Sequence, residues 1–71
     1  MEELTLSGEF MPLCDLLKRV GWLPSGGQAK MVIADGLVKV DGKVELRKRC
    51  KIHSGQIIEF EGQKLKVVFE G

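Results

Sequence analysis

The chain contains no tyrosine, one histidine, two cysteines and two prolines among its 71 residues. Each shortage excludes something. With a single imidazole, His53, there is no Ser/His/Asp or Cys/His set to assign, and His53 reads as a turn or surface residue rather than a general base, so an enzyme is not expected. Cys14 and Cys50 stand 36 positions apart, which is no zinc-ligand spacing, and one histidine does not complete a ligand set. A bridge between them would need an oxidising compartment; two free, partly buried thiols are expected instead. The glycines form neither a dinucleotide fingerprint nor a phosphate loop. No metal and no cofactor are therefore expected. No apolar run approaches the roughly 18 residues of a membrane span, and Glu2 and Glu3 occupy the place where a signal peptide needs cations. A cytoplasmic protein without a membrane partner is the resulting expectation.

What is present suits one small fold. The length predicts a single domain over 1–71 that buries roughly 60% of its extended surface. Hydrophobic residues at 44% and charged residues at 30% argue against disorder. The net charge of +1 conceals a sharp asymmetry. Between Lys39 and Lys51 six cations (Lys39, Lys43, Arg47, Lys48, Arg49, Lys51) face two anions, Asp41 and Glu45, which makes this stretch +4 and the rest of the chain −3. Such a distribution gives one surface that attracts a polyanion while the remainder stays solvated.

The hydrophobic period changes once along the chain. Leu4-Thr5-Leu6 alternates like a short edge strand that ends at Ser7-Gly8. Pro12 suits a first helical turn, and Leu13, Leu16, Leu17 and Val20 follow at i, i+3, i+4 and i+7. Gly21 is placed for a left-handed cap, with Trp22 folding back on the last turn. Ser25 and Gln28 make the pattern of a capping box for a second helix, whose apolar face is Ala29, Val32 and Ile33 and whose stop is Gly36. The short linker predicts that the two helices pack as a hairpin. From Val38 the period is 2. Asp41-Gly42 signals a two-residue turn between Val38–Val40 and a returning strand Lys43–Leu46. His53-Ser54-Gly55 reads as a turn, Gln56 to Phe60 and Lys64 to Phe69 as strands, and Glu61-Gly62 as a second tight turn. The fold class is α+β, a two-helix hairpin packed on a small, mainly antiparallel sheet. The four aromatics are Phe10, Trp22, Phe60 and Phe69; core packing explains most of them, and they do not form an exposed series for stacking bases.

Two features attract anions. One is the basic run Arg47 to Lys51 with Lys39 and Lys43 flanking the hairpin before it. A charge run is often only a solvated face; the hairpin lysines, aligned on an outward side of the ribbon, argue for more. The other is the start of the second helix, Ser25-Gly26-Gly27. Unpaired N–H groups and the positive dipole end favour phosphate there, with Lys30 one turn on; Arg19 either reaches the same site or only caps the dipole of the first helix. The two glycines either admit that phosphate or merely shape a tight turn.

The succession helix, Gly21-Trp22, Ser25-Gly26-Gly27-Gln28-Ala29-Lys30, helix, Gly36-Leu37-Val38-Lys39-Val40-Asp41-Gly42, basic stretch and Ser54-Gly55-Gln56 resembles the ribosomal protein S-four domain, also called the alpha-L RNA-binding motif. Leu13 to Lys18 and Arg47 to Ile52 look like its small single-domain bacterial members. The resemblance implies binding of structured RNA by the helices and the following hairpin. Carried over by position, the contacts fall on Ser25, Gly26, Gln28, Lys30, Lys39 and Lys43, extended by Arg47, Lys48, Arg49 and Lys51. Family members often carry arginine where this chain has Gly26, and near Pro12 and Leu13; the basic run is placed to make up for both. The expectation is a non-catalytic, monomeric binder of ribosomal, transfer or small regulatory RNA. The alternative is a protein-interaction adaptor that docks the same basic face on an acidic partner.

Overall fold

In the computed structural model, which describes residues 2–70, the change of hydrophobic period becomes a change of layer. The elements in chain order are β1 (Glu2–Ser7), β2 (Phe10–Pro12), α1 (Leu13–Arg19), α2 (Gly26–Ala34), β3 (Val38–Val40), β4 (Lys43–Val44), β5 (Lys51–His53), β6 (Ile57–Phe60) and β7 (Gln63–Glu70). Five strands form one sheet in the order β1-β7-β6-β3-β4, and β2 pairs with β5 in a separate two-stranded ribbon. Every pairing is antiparallel except β1 with β7. The expected α+β architecture of a helix pair on a mainly antiparallel sheet is present.

Period-2 alternation sets the sheet's faces. Val38, Val40, Ile58, Phe60, Leu65 and Val67 are buried towards the helices. On α1, Leu13, Cys14, Leu16 and Leu17 are at most 1% exposed, and α2 contributes Ala29 and Ile33. These side chains make one core, with Trp22 half-buried beside Phe60 at a ring separation of 6.3 Å. Burying a leucine or isoleucine of this kind is worth about 1.5–3 kcal/mol, so the α1 stripe dominates a fold of this size.

The turns follow their residues. Asp41 and Gly42 both adopt positive φ, +53° and +83°. That is the primed turn whose twist matches a tight hairpin. Gly21, at φ +84°, ends α1 as a left-handed residue that a Cβ would strain.

Several elements differ from expectation. Pro12 lies just before α1, as its N-cap and the last residue of β2. His53 ends strand β5, so the turn is confined to the residues after it. The returning strand stops at Val44: the Glu45 N–H still bonds the Val38 carbonyl at 3.0 Å, but its carboxylate accepts the Arg47 backbone N–H at 3.0 Å, and the chain turns there. Only one half of the capping box forms: the Ser25 hydroxyl accepts the Gln28 N–H at 3.2 Å.

Candidate nucleic-acid interface

The basic run from Arg47 to Lys51 is anchored by backbone chemistry. Helix α1 starts after a proline that has no side chain to cap it, so its first N–H groups need other acceptors. They find them in the run: the Leu13 N–H donates to the Cys50 carbonyl at 2.8 Å and the Cys14 N–H to the Lys48 carbonyl at 3.0 Å. The Cys50 N–H closes a turn on the Arg47 carbonyl at 3.2 Å. With these carbonyls engaged by the helix, the side chains of Lys48 and Arg49 stand in solvent.

A second anchor is ionic. The Arg47 guanidinium grips Glu45 with two bonds, Nε to Oε2 at 3.0 Å and Nη2 to Oε1 at 3.1 Å. The Glu45 side chain is 17% exposed and that of Arg47 78%. Hydrogen bonds from the Arg47 side chain and then from its backbone hold the Glu45 carboxyl down at about 2. The same contact raises the affinity of Arg47 for its proton. Arg47 is therefore committed to shaping the loop, with the rest of its guanidinium facing solvent. It also reaches the Cys50 sulfur at 3.7 Å, while burial, followed by Glu45, pushes that thiol up and keeps it protonated. Both cysteines are free, Cys14 buried and Cys50 half-buried.

Around this loop opens a shallow concavity of about 660 Å³, whose lining includes Lys43, Arg47, Lys51, His53, Asp41 and Gln56. Its far wall is the hairpin tip, fixed by Asp41. That carboxylate accepts the Ile57 N–H at 3.0 Å and the Gln56 amide at 3.2 Å, and Gln56 in turn accepts the His53 N–H at 2.8 Å. Lys43, Lys48, Arg49 and Lys51 form no ion pair among the described residues. They are four exposed cations on a framework that does not depend on them.

Lys39 does not join this group. In register it opposes Val44 and Glu59, while Lys43 opposes Val40. Directly paired residues share a face, so Lys39 points to the outer side of the sheet and Lys43 to the helix side. The expected alignment of the two lysines on one outward face is thus replaced by a split across the ribbon, as the odd and even positions of a strand require. On the outer side Glu59 is shared by Lys39 at 3.9 Å and Lys64 at 3.8 Å.

The start of α2 forms a separate anion-attracting point. Ser25 caps the helix, and no partner is found for the Gly26 and Gly27 N–H groups among the described residues. A Cβ built at Gly26 would meet nothing within 4 Å, so glycine is not needed there for packing. Gln28 is exposed and Lys30 half-buried. The basic loop lies at the N-terminal end of α1, and Ser25 follows its C-terminal end. The two points therefore lie towards opposite ends of α1, which spans about 10 Å.

Sequence reasoning missed three contributors. Glu45 counted only as a diluting anion, although a carboxylate two residues before an arginine in a turn is a recognisable clasp. Asp41 counted only as a turn residue. Phe10 has no role in the sequence reading, yet it is 42% exposed. It sits on β2 directly opposite His53 on β5, a pairing that no local pattern announces.

Three comparisons bear on this arrangement. The S4 domain family matches residues 4–68. Two relatives are each 62% identical over 56 residues, covering 79% of this chain and 80% of theirs: the putative RNA-binding protein YbcJ of Escherichia coli (strain K12) and YbcJ of Shigella flexneri. The solution structure of YbcJ from E. coli, described as revealing an alphaL motif involved in RNA-binding, superposes with a TM-score of 0.67 at 55% identity. It covers 90% of this chain and 85% of that one.

Proposed function

Because this chain belongs to the S4 domain family, we propose that it is a non-catalytic protein that binds structured RNA through the 43–51 loop. The observation that carries the reading is the arrangement of Lys43, Lys48, Arg49 and Lys51. They are exposed, lack carboxylate partners among the described residues and are borne on a backbone pinned to α1 and to Glu45. Because the backbone that bears them is already fixed, the loop itself need not be ordered when the cations meet phosphates, which lowers the cost of binding. Phosphate contacts of this kind read the shape and spacing of a folded RNA rather than a long base sequence. The E. coli relative named as a putative RNA-binding protein supports the same assignment.

Within this reading the α2 start, with Ser25, Gly26, Gln28 and Lys30, offers a second phosphate position beyond the other end of α1. Arg47 contributes chiefly by holding Glu45. Lys39 is peripheral, since it faces the other side of the sheet beside Glu59. The chain acts as a single domain and a monomer in the cytoplasm, where ribosomal, transfer and small RNAs are all available ligands. Among the described residues no group of three or more His, Cys, Asp or Glu is disposed to hold a metal, and no helix is long and apolar enough to cross a membrane.

The test is purification of tagged protein from cells after crosslinking, with and without ribonuclease, followed by sequencing of the bound RNA. The proposal expects a small set of structured RNAs, with protein partners that disappear on digestion. Acidic protein partners that survive ribonuclease, with no RNA enriched, would instead make the chain an adaptor.

A further inference from the structure

The ribbon of β2 and β5 carries on its exposed side two rings, Phe10 and His53, that phosphate binding does not use. Strand alternation buries Ile52 and tucks Met11 against the core. The same alternation turns Phe10, Pro12, Lys51 and His53 to the opposite side, where Phe10 pairs with His53 and Pro12 with Lys51. The Phe10 and His53 rings stand 5.8 Å apart at an interplanar angle of 48°. The two rings are tilted against each other rather than stacked face to face. The Lys51 ammonium lies 4.9 Å from the centroid of Phe10. This ribbon is the direct continuation of the basic run, because β5 begins at Lys51, and both Lys51 and His53 line the concavity beside Arg47 and Lys43.

A half-exposed phenyl ring on a strand costs solvation and gains little from one cross-strand partner. Flat rings beside cations are, in contrast, what an unpaired base requires. Its π-face stacks on an aromatic ring while its own phosphate meets an ammonium one residue away. We infer that Phe10 and His53 form a stacking site for one unpaired nucleobase of the bound RNA, with Lys51 moving from the Phe10 ring to the adjoining phosphate. The inference rests on the RNA-binding reading above and adds to it the kind of RNA selected: a stem with a bulged or looped-out nucleotide next to the groove held by the basic loop. It extends a surface that otherwise senses only backbone. The stacking pair comes from two strands that are 43 residues apart in the chain, and it exists only because β2 and β5 pair.

The experiment compares the affinity of the full chain, at low salt, for two short RNA hairpins that are identical except for one bulged uridine. A bromouridine version of the bulged probe is used for photo-crosslinking. The site predicts a preference of about tenfold for the bulged hairpin, with the crosslink on Phe10 or His53. Phe10→Leu, which keeps an apolar side chain on β2, removes the preference and leaves affinity for the fully paired hairpin unchanged. Phe10→Tyr restores it. His53→Ala reduces the preference without touching β2, so the site stays testable if Phe10→Leu proves unstable by circular dichroism. Equal affinity of the unmodified chain for both hairpins overturns the stacking site while leaving RNA binding intact. So does a Phe10→Leu variant that keeps the preference. Failure to bind either hairpin overturns the stacking site together with the RNA-binding reading, and is recognised by the absence of any affinity to compare.

Discussion

The outer face of the sheet and the loop at the start of α1 both carry clustered basic residues, lysines alone on the first and lysines with arginines on the second, yet they are built to opposite ends. On the outer face Lys39 and Lys64 share Glu59, and Lys66 lies in register with Glu3 on β1. Positive and negative side chains alternate there, the potential is short-ranged, and salt screens what remains. At the loop Glu45 serves one arginine and the backbone, Asp41 is engaged by Ile57 and Gln56, and four further cations form no ion pair among the described residues. The difference teaches that the number of basic residues on a surface says little about its use. What counts is whether acidic residues neutralise the cations or organise them. Glu59 does the first and Glu45 the second.

The comparison breaks most visibly under charge reversal. Lys48→Glu with Arg49→Glu is expected to weaken RNA affinity by more than about a hundredfold. Lys64→Glu with Lys66→Glu on the outer face changes it by less than about threefold. Both pairs are exposed, so circular dichroism of the variants should match that of the unmodified chain. Fluorescence anisotropy with a folded RNA reads the result, and equal losses in the two variants would erase the distinction between the surfaces.

A smaller and more discriminating effect concerns Glu45. Replacing it by glutamine removes a negative charge from the basic pole, so electrostatics alone predicts tighter binding. If Glu45 organises the loop, Glu45→Gln instead weakens binding by roughly fivefold, because the loop side chains must then be ordered on association. Acid offers an independent check. The folded carboxyl titrates at about 2, below its ordinary value of 4.5. Its contribution to stability is therefore complete above about pH 4.5 and lost as the pH falls towards 2. Glu45→Gln should abolish that portion of the acid unfolding profile, read by denaturant titration at successive pH values. A profile identical to that of the unmodified chain would show that the clasp contributes nothing.

Local order and burial were legible from the chain because they follow from neighbours. The leucine stripe of α1, the Ser25 cap, the Asp41-Gly42 turn and the alternation of Val38 and Val40 each depend on residues within one turn or one strand. The family resemblance rested on the same short stretches. What escaped was everything set by register across strands. Lys39 and Lys43 look equivalent on either side of a turn, and only the pairing of Lys43 with Val40 sends them to different faces. The β2–β5 ribbon joins residues from opposite halves of the chain, so neither the exposure of Phe10 nor its contact with His53 has a local signal. The capping of α1 by carbonyls of the basic loop is likewise a long-range contact that stands in for a missing side-chain cap at Pro12.

The salt dependence of RNA affinity tests the central claim most directly, because each phosphate neutralised contributes to the slope of log K against log salt. The comparison is between the unmodified chain, Lys48→Ala with Arg49→Ala, and Lys64→Ala with Lys66→Ala, all with one folded RNA. If the loop is the interface, the slope of the loop variant is shallower by roughly two and that of the outer-face variant is unchanged. A slope that stays the same when the loop arginine and lysine are removed, or that falls equally when the outer-face lysines are, would contradict it.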